Sequence, residues 1–214
     1  MKKKFLVFDF DGTLFNTNEI IIESWQAAAR HYLGHELPRE DIERTFGETL
    51  PHTVSYLMPE ENNLEVCDFH KAYQEAHFDG IVSVFDGVRE VLTELRKRGC
   101  KLAVATSRRR LSFTEYMEEF NMFNYFDATV VMEDVSHHKP HPESLQVAMN
   151  KLGANPEETL MVGDTRFDMG CAKNAGVESV MVRWSHYVDD DELDRLGFTP
   201  TYNIYKPEEL LELI

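Results

Sequence analysis

The chain has 214 residues, 43% hydrophobic and 28% charged, a composition that buries a sizeable core and excludes a disordered or fibrous polymer. A formal net charge of -16 argues against nucleic acid or anionic membrane as partners, and the three cysteines, Cys67, Cys100 and Cys171, lack the CxxC pairing of a structural zinc site or disulfide framework. No run approaches a membrane span or a secretory signal, nothing calls for an obligate protein partner, and the expected setting is a reducing cytoplasm.

Lys4 to Phe8 reads as a buried strand, followed at once by Asp9, Asp11, Gly12 and Thr13. From about Glu19 the apolar residues Ile21, Trp25, Ala28, Ala29 and Tyr32 recur at helical spacing. A second helical segment runs from Pro38 through Phe46, Gly47 interrupts it, and a third spans about Glu60 to Phe78, with no strand expected between Thr17 and Gly80. Beyond that the chain alternates. Helices over 87–98, 110–120, 142–152 and 166–174 separate strands over 101–106, 128–132, 159–163 and 179–183. Near-continuous apolar strands joined by helices call for a parallel sheet covered on both faces. The expected fold class is therefore α/β: a Rossmann-like parallel sheet core from residues 1–16 and 81–214, with an α-helical cap, residues 17–80, inserted after the first strand.

An ionised carboxylate at the end of a buried strand is costly unless something compensates it. In open α/β sheets ligands bind beyond the carboxyl ends of the strands, which is where the polar residues fall. Asp9 and Asp11 follow the first strand, Thr106 and Ser107 the second, Lys139 lies in the loop after the third, and Asp164 follows the fourth with Asp168 one turn later. Converging carboxylates call for a shared cation, and oxygen ligands suit Mg2+. Lys139, Thr106 and the N–H groups of the next turn provide an anion site. An Asp needs no activating base to act as a nucleophile, a second carboxylate two residues on can serve as acid and base, and Gly12 lets the backbone approach a phosphate.

DFDGTL, ATS, Lys139-Pro140 and GDTRFD, in that order, resemble the four motifs of the haloacid dehalogenase superfamily, and GDTRFDMGCAKNAGV is similar to its phosphoglycolate phosphatase-like branch. The resemblance implies a phospho-aspartate on Asp9, Asp11 as acid/base, Mg2+ held by Asp9, Asp164 and the Asp11 carbonyl, phosphate held by Gly12, Thr106, Ser107 and Lys139, and Asp168 in support. It also implies a small helical cap that sets specificity. The expected activity is hydrolysis of a small phosphate monoester, phosphoglycolate-like or a sugar phosphate. A β-phosphoglucomutase-like mutase, an inorganic pyrophosphatase and a non-enzymatic receiver-like phosphate-binding domain stand as alternatives. Asn16 departs from the pattern, standing where many relatives carry an acid.

Each residue also has a plainer reading. Thr106 can be a helix cap, Asp168 a solvated first-turn acid, and Lys139-Pro140 a loop end. His137, His138 and His141 read as solvated loop residues more readily than as zinc ligands, FNMFNYFD as core filling, and VDDDELD as a solvated helix start. Arg108, early in a helix whose dipole it opposes, is expected to reach a second anionic group of the substrate, and Glu48 in FGETL to touch the leaving group.

Overall fold

The computed structural model describes residues 3–186 and 188–214. Strand β1 (Phe5–Phe8) lies between β4 (Lys101–Ala105) and β6 (Thr159–Gly163), with β5 (Ala128–Val130) beyond β4, and β7 (Glu178–Val182) then β8 (Tyr202–Ile204) beyond β6. All pairs in this six-stranded sheet are parallel. The chain builds outward first on one side of β1 and then on the other, so the strand order switches at β1 and opens a crevice at its carboxyl end.

Alternation along β1 explains why both faces are covered. Leu6 and Phe8 join Leu102, Val104, Leu160 and Val162 in one core, against α5 (Val88–Lys97) and α6 (Arg110–Glu119). Val7 turns to the other face, with Ala103, Ala105 and Met161, where α7 (Glu143–Leu152) and α8 (Arg166–Ala175) supply Leu145, Ala148, Cys171 and Ala172.

Between β1 and α5 lies a helical region: α1 (Asn18–Tyr32), α2 (Arg39–Glu43), α3 (Leu50–Leu57) and α4 (Asn63–His77). It has its own core, in which Trp25, Ala28 and Ala29 meet Ile42, Val54, Met58 and Val66. Its two connections to the sheet are tied by a short antiparallel pair, β2 (Phe15–Asn16) and β3 (Ser83–Val84), with Asn16 opposite Ser83. Two expectations need correction. Residues 50–57, between the break at Gly47 and the helical stretch expected from about Glu60, form a helix of their own, and the sheet gains an edge strand, β8, past the last strand expected. The acidic stretch after Val188 does start a helix, α9 (Asp190–Leu196), capped by Asp189.

Candidate active site

The strand-end residues converge at the end of β1. Asp9 is 3% exposed and accepts from Lys139 Nζ at 2.8 Å, and the same ammonium donates to Asp168 Oδ1 at 2.6 Å. Asp168 is saturated: its other oxygen accepts from the Thr165 N–H at 3.0 Å and hydroxyl at 2.7 Å, closing the capping box that starts α8. Asp168 thus does two jobs, capping the start of α8 and holding Lys139. Gly163 makes room for it, since a Cβ there would lie 2.4 Å from Asp168 Cβ.

Burial, the neighbouring Asp168 and then Asp164 push the Asp9 carboxyl well above its ordinary value, and Lys139 opposes them. Burial works against the Lys139 charge too, but Asp168 and Asp9 outweigh it and raise its pKa above the ordinary lysine value. Asp9, Asp164 and Asp168 bring oxygens within 4.8 Å of one another, with the Lys139 ammonium paired to Asp9 and Asp168. Three carboxylates against one lysine leave the cluster short of positive charge. An oxygen-only donor set of this kind fits a hard dication.

Asp164 is held from three sides that sequence reasoning left without a role. Thr13 donates to Oδ1 at 2.9 Å, Ser185 donates to Oδ2 at 3.1 Å, and His186 Nδ1 lies 3.2 Å from Oδ2. Asn18, at the start of α1, donates to the Ser185 carbonyl and hydroxyl, both at 3.1 Å. Ser185 and His186 follow β7, so the strand-end rule, carried one strand further, would have found them. Gly12 has φ +71°, and a Cβ there would fall 1.9 Å from Asp164 Oδ2, so glycine is what lets the turn pass over the carboxylate.

The remaining sequence candidates line a cavity of about 220 Å3 between the sheet edge and the helical region, reached by Asp9 and Asp11 from one side and by Trp25, Glu48 and His70 from the other. Thr106 does not cap α6; its hydroxyl accepts from the Arg108 N–H at 3.0 Å, and Arg109 occupies the cap position. Ser107 donates to the Gly47 carbonyl at 3.3 Å, tying the FGETL segment to the sheet edge, where Phe46 also meets the His186 ring edge-on. Glu48 turns one oxygen to the Thr49 N–H and to His52. Arg108 is not free: its side chain is 6% exposed and its guanidinium grips both oxygens of Asp11.

His70 carries a buried signal that the sequence hid. Its Nε2 lies 2.8 Å from Ser24 Oγ, while Nδ1 is buried without a hydrogen-bond partner. Elsewhere, the exposed His137 and His141 come together with Glu143, the first residue of α7, but both Glu143 oxygens already accept from the N–H groups of Ser136 and His137.

The sheet switches at the strand that ends in Asp9, and Lys139, Asp164 and Asp168 gather there from the segments that follow β5 and β6, the fold and arrangement of one class of α/β hydrolases. The chain belongs to the haloacid dehalogenase-like hydrolases, matching that family over residues 6–182, and is a phosphatase of that family. Among curated relatives, pyrophosphatase PpaX of Bacillus mycoides (strain KBAB4) is 34% identical over 100% of this chain and 98% of its own. Pyrophosphatase PpaX of Halalkalibacterium halodurans is 35% identical over 98% and 95%. Among solved structures, a haloacid dehalogenase-like chain from Bacteroides fragilis superposes with a TM-score of 0.86 at 27% identity, covering 98% of this chain and all of the other. No described helix is long and apolar enough to cross a membrane.

Proposed function

We propose that this phosphatase cleaves inorganic pyrophosphate, with Mg2+ held by Asp9, Asp164 and the main-chain carbonyl of Asp11. The observation that carries the choice of substrate is Arg108, a buried cation in the cavity wall bonded to Asp11. Two cations separated in this way, Lys139 at Asp9 and Arg108 at Asp11, match an anion with two phosphoryl groups. The two PpaX relatives support the same reading and shift it from the monoester that the motifs alone suggest.

In this mechanism Asp9 attacks phosphorus and the bond to the bridging oxygen breaks, leaving an aspartyl-phosphate. Asp11 gives its proton to the departing phosphate and later takes one from the water that attacks the aspartyl-phosphate. Lys139, Thr106, Ser107 and the Gly12 turn hold the transferred group, and Asp168 positions Lys139. Bound Mg2+ would supply charge neutralisation and polarise the phosphoryl oxygens. Residues 17–80 act as the cap: Ser107–Gly47 and Phe46–His186 are contacts that must part for product to leave.

A second reading, a hydroxylated phosphate monoester, is favoured by His70, a residue lining the cavity whose Nδ1 has no hydrogen-bond partner and suits a hydroxyl donor once a ligand reaches it. Phosphate release from pyrophosphate, phosphoglycolate, sugar phosphates and nucleotides, with Mg2+ or EDTA, separates the two. Pyrophosphate is expected to give the highest kcat/KM, and Asp9→Asn or EDTA to abolish turnover. A sugar phosphate or phosphoglycolate as best substrate would replace the first reading by the second.

A further inference from the structure

We propose that Arg108 is a latch on Asp11 that the substrate's distal phosphate releases, an inference that rests on the pyrophosphate reading above. The Arg108 guanidinium approaches Asp11 through Nε, at 3.2 and 3.0 Å from Oδ1 and Oδ2, and through Nη2, at 2.6 Å from Oδ1. Both oxygens of the acid/base are therefore turned to a guanidinium and not to a leaving oxygen or a water. A group held this way must be let go before it can carry a proton.

The surroundings of Arg108 fix its main chain and leave its head a path. Its N–H donates to Thr106 Oγ1 at 3.0 Å and its carbonyl accepts from the Met132 N–H at 3.0 Å, so the backbone stays in place. The guanidinium carbon lies 4.6 Å from the Tyr116 ring centroid and 5.6 Å from that of Phe10. Aromatic faces favour a cation over them without dictating its position in the plane, so the shift costs chiefly the hydrogen bond between the guanidinium and the Tyr116 side chain, which a phosphoryl oxygen replaces. Asp11 and Arg108 both line the cavity, where a second phosphoryl group would lie.

A phosphoryl group offers more charge and more acceptor oxygens than one carboxylate and engages the guanidinium fork with equal directionality. Binding of a diphosphate moves Arg108 onto the distal group and frees Asp11. Freed, Asp11 takes the proton carried by the bound hydrogen-diphosphate and passes it to the bridging oxygen as that oxygen's bond to the attacked phosphorus breaks; in the second half-reaction it takes a proton from the attacking water and gives it up to solvent as Arg108 returns. A monoester without a second anion leaves the latch closed. Discrimination appears in kcat as well as in KM.

The test compares wild type, Arg108→Ala and Arg108→Lys on pyrophosphate and on p-nitrophenyl phosphate, which has no distal anion, with and without added phosphite dianion. For Arg108→Ala, kcat/KM on pyrophosphate is expected to fall by about 30-fold or more, while kcat on p-nitrophenyl phosphate rises several-fold. Phosphite is expected to raise p-nitrophenyl phosphate turnover in wild type and to leave Arg108→Ala unstimulated. Parallel loss on both substrates, or no stimulation of wild type by phosphite, overturns the latch. Arg108→Lys, which keeps a cation without the fork, should fall between the two and covers the case in which the alanine variant does not fold. A wild type that ignores pyrophosphate defeats the proposed substrate, whereas the rise on p-nitrophenyl phosphate and the phosphite effect still report the latch.

Discussion

His70 lies against Trp25, with ring centroids 4.1 Å apart, and its Nε2 meets the Ser24 hydroxyl. Ser24 donates its hydroxyl hydrogen to the Ile21 carbonyl at 2.8 Å, so toward His70 Nε2 the oxygen acts as acceptor, and the neutral ring carries its proton on Nε2. Burial first, then the nearby Arg108 and Lys71 charges, pull the imidazole down from its ordinary 6.5 to about 3. Between those values the unfolded chain binds a proton that the folded one refuses. The contribution of His70 to stability is therefore complete above pH 6.5 and is lost as pH falls toward 3. Below pH 6.5 the wild type is expected to lose about 1.4 kcal/mol per pH unit more than His70→Gln. Urea unfolding of both proteins at pH 7, 6 and 5 measures it, and parallel pH profiles would sink the idea. Nothing near His70 in sequence marks it, because Ser24 and Trp25 come from another helix.

At the level of elements, the strands were legible because each is an apolar run ended by a polar residue, and the run of βα units leaves one topology class. Asp9 and Asp164 were legible because the sheet brings strand ends together, whereas Asp168, inside α8, and Lys139, in the loop between β5 and α7, were legible through the motifs they belong to. The helix at 50–57 was not, since Thr49 makes no side-chain cap and the preceding glycine reads as a break. Strand β8 spans only Tyr202–Ile204, with Asn203 exposed, too short to show a period. The grip of Arg108 on Asp11 depends on side-chain direction, which spacing along the chain does not report. Close packing of β6 on α8 gives this scale its own prediction. Gly163→Ala places a Cβ 2.4 Å from both Cβ and Cγ of Asp168, atoms fixed by the capping box, so the helix start and the Lys139 contact must shift together. The expected result is a loss of about 1–3 kcal/mol in stability, with kcat reduced at least tenfold and KM changed less. A variant that loses stability but keeps kcat would show that Lys139 tolerates the shift.

For the whole molecule, folding gathers three carboxylates around one lysine in a chain that already carries a net charge of -16. The repulsion within that cluster is a cost of the folded state, and a dication bound there turns it into a gain. Divalent ions also stabilise any highly acidic protein by screening, so a rise in Tm with Mg2+ is not by itself evidence of a site. Asp164→Asn separates the two effects. It removes one charge from the cluster, keeps acceptor and donor capacity toward Thr13 and Ser185, and leaves the rest of the surface charge unchanged. In EDTA the variant is expected to melt at or above the wild-type temperature. At a Mg2+ concentration about 100 times Kd the wild type gains about 2.7 kcal/mol, several degrees in Tm, whereas the variant shows only the screening increment. Thermal melts of both proteins across a Mg2+ series, with matched ionic strength from NaCl, provide the measurement. Equal shifts in the two would mean that Mg2+ acts on the net charge alone, and the buried carboxylates would then need another partner to explain why the fold brings them together.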